Sequence, residues 1–385
     1  MAGVMVHLAV ADVLTEFIEI KNKEMFYTGN ISPDCIHSRE NYCRDMKKHT
    51  HLKDEMFDWE LMDKNNLKAY HKKLSEFTHK FCNRDNEDFE LFLGYYIHLI
   101  TDEMFVRTVR QEFARESEKR GIYQTDKEFF NEIMRDINGT DSIFAEKYPY
   151  NIDIPSFLEA KGFDAFYVTA EETELSKKWI LENFYKRKSF EGSQFITYER
   201  MLDFISEAVS EILKRTDAFF GCLPHDDFYM REALIQARRA ADIYEVPVGA
   251  VIVKKSTGEI VGKGFNKRET DKNPIAHAEI EAIREASEKL GGWRLIDCEM
   301  YVTLEPCPMC CGAVINSRLE RIVYGTCDKK SGSAESVTEI FSLPYNHKPE
   351  LVSGVKKEKC AEILSEFFRK LRIKKQNLSS LNEKI

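Results

Sequence analysis

Four residues in the second half of the chain have the types and spacing of a hydrolytic metal centre: His277 and Glu279 in "HAE", and Cys307 and Cys310 in "PCPMC". An imidazole and two thiolates make three zinc ligands and leave a fourth position for water, whose pKa the metal lowers toward neutrality. Glu279 lies two residues from His277, so it projects beside the metal and is placed to carry a proton. A C-x-x-C pair alone fits a redox pair or half of a structural zinc site equally well. The accompanying His, Glu and Pro306 favour the hydrolytic reading. Cys311, adjacent to Cys310, is expected to be a core thiol.

A looser set lies in the first half. His7 in "HLAVADVL", Asp34 in "SPDC", His51 in "THL", and His98 and Asp102 in "GYYIHLITD" are all metal-binding types. His98 and Asp102, four apart, share one helix face. Imidazole and carboxylate together suit zinc and similar divalent ions, and such ions can clamp a phosphate ester. The bland alternative is a hydrogen-bonded His98–Asp102 pair inside a helical core. His37 and His49 are expected at solvated helix positions.

These residues need elements to hold them. From residue 5 to about 215, apolar residues recur at three and four, which predicts helices and almost no strand. Around "DAFFGCLPHDDFY" a Gly, a Pro and an acidic pair break that pattern, and a domain boundary is expected near 218. Beyond it, "DDFYMREALIQARRAADIY" predicts a helix opened by an Asp cap, and "VPVGAVIVKK" and "GEIVGKGFN" predict two strands around "STG". A helix from about Ala276, a strand "MYVTL", a helix from Pro308, a strand "RIVYG" and a closing helix from about Lys357 follow. The expected fold class is two domains: an all-α domain over 1–218 and an α/β three-layer sandwich over 219–385.

The composition, 43% hydrophobic and 31% charged over 385 residues, is that of a globular protein with room for two cores. The net charge of −9 divides into −11 over residues 1–220 and +2 over 221–385. An acidic first half argues against general nucleic-acid binding there, since phosphate contacts need clustered cations. "FFRKLRIKK" sets Arg369, Lys370, Arg372, Lys374 and Lys375 on a basic helix end. No apolar run approaches the roughly 20 residues of a membrane span. The opening lacks a basic leader, and ten cysteines show no disulfide rhythm, so a reducing, cytoplasmic setting is expected.

H-x-E with P-C-x-x-C is the signature of zinc deaminases acting on nucleobases. From Asp227 to Arg372, "EVPVGAVIV", "GFN", "HAEI", "WRLIDCEMYVTLEPCPMC", "NSRLERIVYG", "DKKSG" and "SEFFRKLR" occur in an order that closely resembles the bacterial tRNA-specific adenosine deaminases, of the cytidine deaminase fold type. The resemblance implies hydrolysis of adenosine to inosine at the wobble position of a tRNA anticodon stem-loop. It implies zinc on His277, Cys307 and Cys310, with Glu279 as proton shuttle. It further implies Asn266 on the flipped adenine, Asp328 near the ribose, and a homodimer. Read without the family, Asn266 is a turn residue and Asp328 a loop cap. The sequence departs from the family at "SAES", which sets the carboxylate of Glu335 near the expected RNA-facing loop. The alternative reading is a deaminase of a free base or nucleoside, with the first half as a docking or oligomerisation module.

Through "PD", "THL" and "GYYIHLITD", residues 1–150 resemble the zinc-dependent phospholipase C family, an all-helical fold. By those motifs His7, Asp34, His51, His98 and Asp102 match five ligands of that family's metal cluster. The resemblance implies one or more divalent metals and phosphoesterase-like chemistry. No histidine lies between His98 and His225, so the family's later metal-binding histidines are missing.

Overall fold

The computed structural model describes residues 2–382 apart from 55, 85, 189, 191 and 221–224; for 217–220, 225 and 373–382 only the backbone is described. Two compact units, Met1–Leu223 and Pro224–Ile385, make up the chain.

The first unit is helical: α1 (Val4–Leu14), α2 (Lys23–Cys35), α3 (Arg44–Thr50), α4 (Lys64–Phe81), α5 (Phe89–Arg107), α6 (Val109–Glu118), α7 (Lys127–Lys147), α8 (Ile154–Glu159), α9 (Ala170–Ile180) and α10 (Tyr198–Phe220). Among the described residues its strand pairing is confined to one isolated bridge, Ala165 to Val168. Helix α5 is buried on almost every side, as its nearly continuous apolar sequence requires. Helix α2 lies directly on it, because side chains at Gly29 and Gly94 would collide with the carbonyls of Leu91 and Phe26 at 1.8 and 2.0 Å. The start of α1 meets the buried Asp141 of α7, whose carboxylate accepts from the Met5 amide at 3.2 Å. The boundary expected near 218 falls inside α10, since the first strong breakers come only at Gly221 and Pro224.

The second unit runs α11 (His225–Asp242), β1 (Gly249–Lys254), β2 (Glu259–Phe265), α12 (Ala278–Leu290), β3 (Cys298–Leu304), α13 (Pro308–Ser317), β4 (Arg321–Thr326), β5 (Glu350–Ser353) and α14 (Lys357–Asn382). Its mixed sheet has the order β2-β1-β3-β4-β5. The β1 strand is antiparallel to β2 and β3, and the β3–β4 and β4–β5 pairs are parallel. One face, with Ala250, Ile252, Met300, Val302, Ile322 and Tyr324, packs on Ala278, Ala282 and Ala286 of α12 and on Cys311, Val314 and Ile315 of α13. The alternate residues face α11 and α14, with the Tyr301 ring 5.1 Å from Tyr229. This is the expected three-layer arrangement, with one strand more than the pattern foretold. Asp226 falls in the first turn of α11, which begins at His225, and its carboxylate takes both Arg321 nitrogens at 2.8 and 2.7 Å and the Tyr301 hydroxyl at 2.8 Å. Among the described residues no helix is long and apolar enough to cross a membrane.

Candidate active site

Two helix starts build the site of the second unit. His277 is the N-cap of α12 and Cys307 the N-cap of α13, so Glu279 and Cys310 fall in the first turns. Pro308 at the first position of α13 fixes φ where no amide partner is needed. The Cys307 and Cys310 sulfurs lie 3.8 and 3.7 Å from His277 Nδ1. All three donor atoms fit within 4.8 Å of one another, and one nitrogen with two sulfurs suits zinc.

Electrostatics are concentrated here. Contact with Cys310 and His277 pulls the Cys307 thiol down to about 4, while the same contact and burial raise Cys310. The Cys307 contact raises His277 above its ordinary value. Burial, reinforced by the Cys307 charge, raises the Glu279 carboxyl, which is almost fully enclosed. A carboxyl with an elevated pKa beside a metal-binding triad can both accept and return a proton. Cys311 is buried and turned onto the Pro306 carbonyl, a core thiol.

Asn266, at the end of β2, accepts from the Ala278 amide at 3.1 Å and donates to the Val246 carbonyl at 3.2 Å. It therefore braces the start of α12, with one amide hydrogen and one lone pair left over. Asp328 caps its own loop, accepting from the Lys330 amide at 2.9 Å and from the Ser331 hydroxyl. Glu335 accepts from the buried Tyr324 hydroxyl, which partly satisfies the carboxylate expected to confront phosphate. Arg369, Lys370 and Arg372 are exposed on α14; the side chains of Lys374 and Lys375 lie outside the described residues. Sequence reasoning missed Glu305, whose partners lie more than twenty residues away.

In the first unit, the five singled-out residues do come together. His7 Nε2 is 3.2 Å from Asp102 Oδ1, and His51 Nε2 is 3.4 Å from both Asp34 Oδ1 and Asp102 Oδ2. The His7 and His98 rings stack with centroids 3.8 Å apart. His98 Nδ1 sits 2.8 Å from the Asn30 carbonyl, and His51 Nδ1 3.0 Å from the Lys47 carbonyl. The Asn30 carbonyl calls for an N–H on His98 Nδ1, so neutral His98 presents a lone pair at Nε2, which lies 3.2 Å from His51 Nε2. His98 is held neutral, its pKa driven well down by burial and by His7. Asp34 and Asp102 stay ionised despite burial, Asp34 chiefly through the Lys47 ammonium in contact with it. Lys47, nearly buried itself, is a member of this cluster that the sequence reading did not pick out. His37 and His49 are exposed, as expected.

The MafB19-like deaminase family model matches residues 225–372. The tRNA-specific adenosine deaminase of Bacillus subtilis (strain 168) is 47% identical over 155 residues, which are 40% of this chain and 95% of that protein. The protein of the same name from Haemophilus influenzae is 42% identical over 164 residues, 41% of this chain and 94% of its own length. A solved structure from a study of A-to-I editing by tRNA:A34 deaminases at the wobble position of transfer RNA is 42% identical, covering 35% of this chain and 98% of that one with a TM-score of 0.34. Neither the B. subtilis nor the H. influenzae protein is long enough to include a counterpart of the first unit. Through its second unit the chain belongs to the tRNA-specific adenosine deaminase family, and it is a deaminase.

Proposed function

We propose that the second unit converts adenosine to inosine at the wobble position of a tRNA anticodon stem-loop. The observation that carries this is the His277–Glu279–Cys307–Cys310 constellation at two helix starts, in a segment 47% identical to a tRNA-specific adenosine deaminase. His277, Cys307 and Cys310 would hold zinc, which when bound would acidify a water molecule to serve as nucleophile at C6. Glu279 takes a proton from that water and delivers it to the departing amine nitrogen, so that adenosine and water become inosine and ammonia. Asn266 offers its remaining amide hydrogen and lone pair to the base. Asp328, released from its loop cap, reaches the ribose, where a 2′-hydroxyl distinguishes RNA from DNA. The unit acts as a homodimer, as its family resemblance implies. Glu279→Ala in the whole chain, assayed on a stem-loop with wobble adenosine, is expected to lower turnover by roughly 10³-fold or more while zinc content stays at wild-type level. Loss of zinc together with turnover contradicts the role given to Glu279.

A second reading concerns the first unit, which we propose binds at least one divalent metal on His7, Asp34, His51, His98 and Asp102. What favours it is the gathering of three imidazoles and two ionised carboxylates, with the donor atoms of His7, Asp34 and His98, and those of His51, His98 and Asp102, within 4.8 Å of one another. His7 Nδ1, buried, also has no hydrogen-bond partner among the described residues. With Lys47 at the better-exposed Asp34, such a centre suits a phosphate ester as substrate. Metal analysis of the whole chain tests it: more than one divalent ion per chain, falling by at least one in His98→Ala, is the expected result. One ion per chain, unaffected by His98→Ala, excludes it.

A further inference from the structure

The segment 328–336 that follows β4 carries Asp328, two lysines' worth of positive neighbourhood at Lys329 and Lys330, and Glu335. Its position relative to the cysteine pair is set by one side chain. Glu305 sits between β3 and α13, two residues before Cys307, and is only 3% exposed. Its Oε1 accepts from the Glu335 and Ser336 amides, both at 2.8 Å. Its Oε2 accepts from the Asp328 amide at 3.0 Å and from the Ser336 hydroxyl. The main chain repeats the connection: Glu305 N donates to the Thr326 carbonyl, and Ser333 N to the Pro306 carbonyl, both at 2.8 Å.

A buried carboxylate ordinarily demands compensation. Here the Ser336 hydroxyl and three main-chain amides supply it, filling both carboxyl oxygens of Glu305. Those amides come from both ends of one loop, residue 328 and residues 335 and 336. A single side chain therefore closes the loop and fastens it beside Pro306 and Cys307. Removing that acceptor would orphan three amides at once.

We propose that Glu305 is a positioning residue that locks the 328–336 loop, and with it the substrate-facing Asp328, in register with the cysteine-bearing start of α13. The proposal rests on the deaminase reading above. Glu305 acts on the loop and not on the reacting atoms, so its loss should weaken substrate capture more than chemistry.

The test compares wild type, Glu305→Ala, Glu305→Gln and Ser336→Ala in the zinc-loaded whole chain on an anticodon stem-loop with wobble adenosine. Glu305→Ala is expected to raise KM roughly tenfold or more with kcat within about threefold and zinc content unchanged. Glu305→Gln, which keeps an acceptor for the 335 and 336 amides, and Ser336→Ala, which removes one donor, should each show a smaller rise in KM. Hydrogen exchange should quicken at the amides of 328, 335 and 336 in Glu305→Ala. Unchanged KM, or a fall in kcat with KM unchanged, overturns the proposal. If Glu305→Ala does not fold, the same KM criterion applied to the two milder variants decides. If wild type leaves the stem-loop untouched, the substrate reading fails by itself. Exchange at the three amides then still decides: unaltered protection in the Glu305 variants overturns the role given to Glu305.

Discussion

At the scale of single residues, the deaminase site works by dividing labour between charge and burial. Contact between the two cysteines lowers the Cys307 thiol and raises that of Cys310, and both sulfurs and His277 Nδ1 already lie within 4.8 Å of one another. Cys310→Ala removes one of three ligands and leaves Cys307 without the contact that most lowers its pKa. That variant should lose about one equivalent of zinc per chain and turnover with it, read by elemental analysis of the purified protein. Glu279→Ala should do the opposite and keep the metal. These four residues were legible in the sequence because their spacing is local: two places from His to Glu, three from Cys to Cys, each at a helix start. Glu305 and Lys47 were not, because what makes them matter is a carboxylate meeting amides of another loop and an ammonium meeting a carboxylate of another helix.

At the scale of elements, close approach and capping set the positions of the functional side chains. A side chain at Gly264 on β2 would meet the Ala278 carbonyl at 2.0 Å and the Ala282 amide at 2.5 Å, both at the N-terminal end of α12. Gly264→Ala should therefore cost roughly 1–3 kcal/mol in urea unfolding of the second unit and shift His277 and Glu279 enough to lower kcat. In the first unit, α1 presents His7 one turn beyond a start held by Asp141. Burial pushes the Asp141 carboxyl up to about 8, against the lowering by the Met5, Val6 and Val4 amides. Between the ordinary value of 3.8 and about 8 the folded state keeps a proton that the unfolded chain releases, so this group's stabilisation fades as pH rises through that window. Asp141→Asn, neutral throughout, should remove that part of the slope: its urea midpoint gains on wild type as pH goes from 4 to 8. The pattern of apolar residues foretold a helical first unit and four of the five strands of the second. Strand β5 does not, being four residues long with no fully buried side chain.

At the scale of the whole molecule, the charge is unevenly placed, with −11 in residues 1–220, and the B. subtilis relative matches only 40% of the chain. The B. subtilis relative, 95% covered by this chain's alignment, has no counterpart of the first unit. Residues 219–385 alone are accordingly expected to keep kcat within about threefold of the whole chain, measured on the same stem-loop. A larger loss assigns the acidic unit a part in deamination. The substrate proposed for this chain is adenosine within RNA. The direct measurement offers zinc-loaded whole chain an anticodon stem-loop with wobble adenosine together with an excess of free adenosine and adenine, and follows inosine and hypoxanthine. Recognition of adenosine within RNA should give inosine in the stem-loop while the free compounds remain. Deamination of free adenosine or adenine with the stem-loop intact contradicts it.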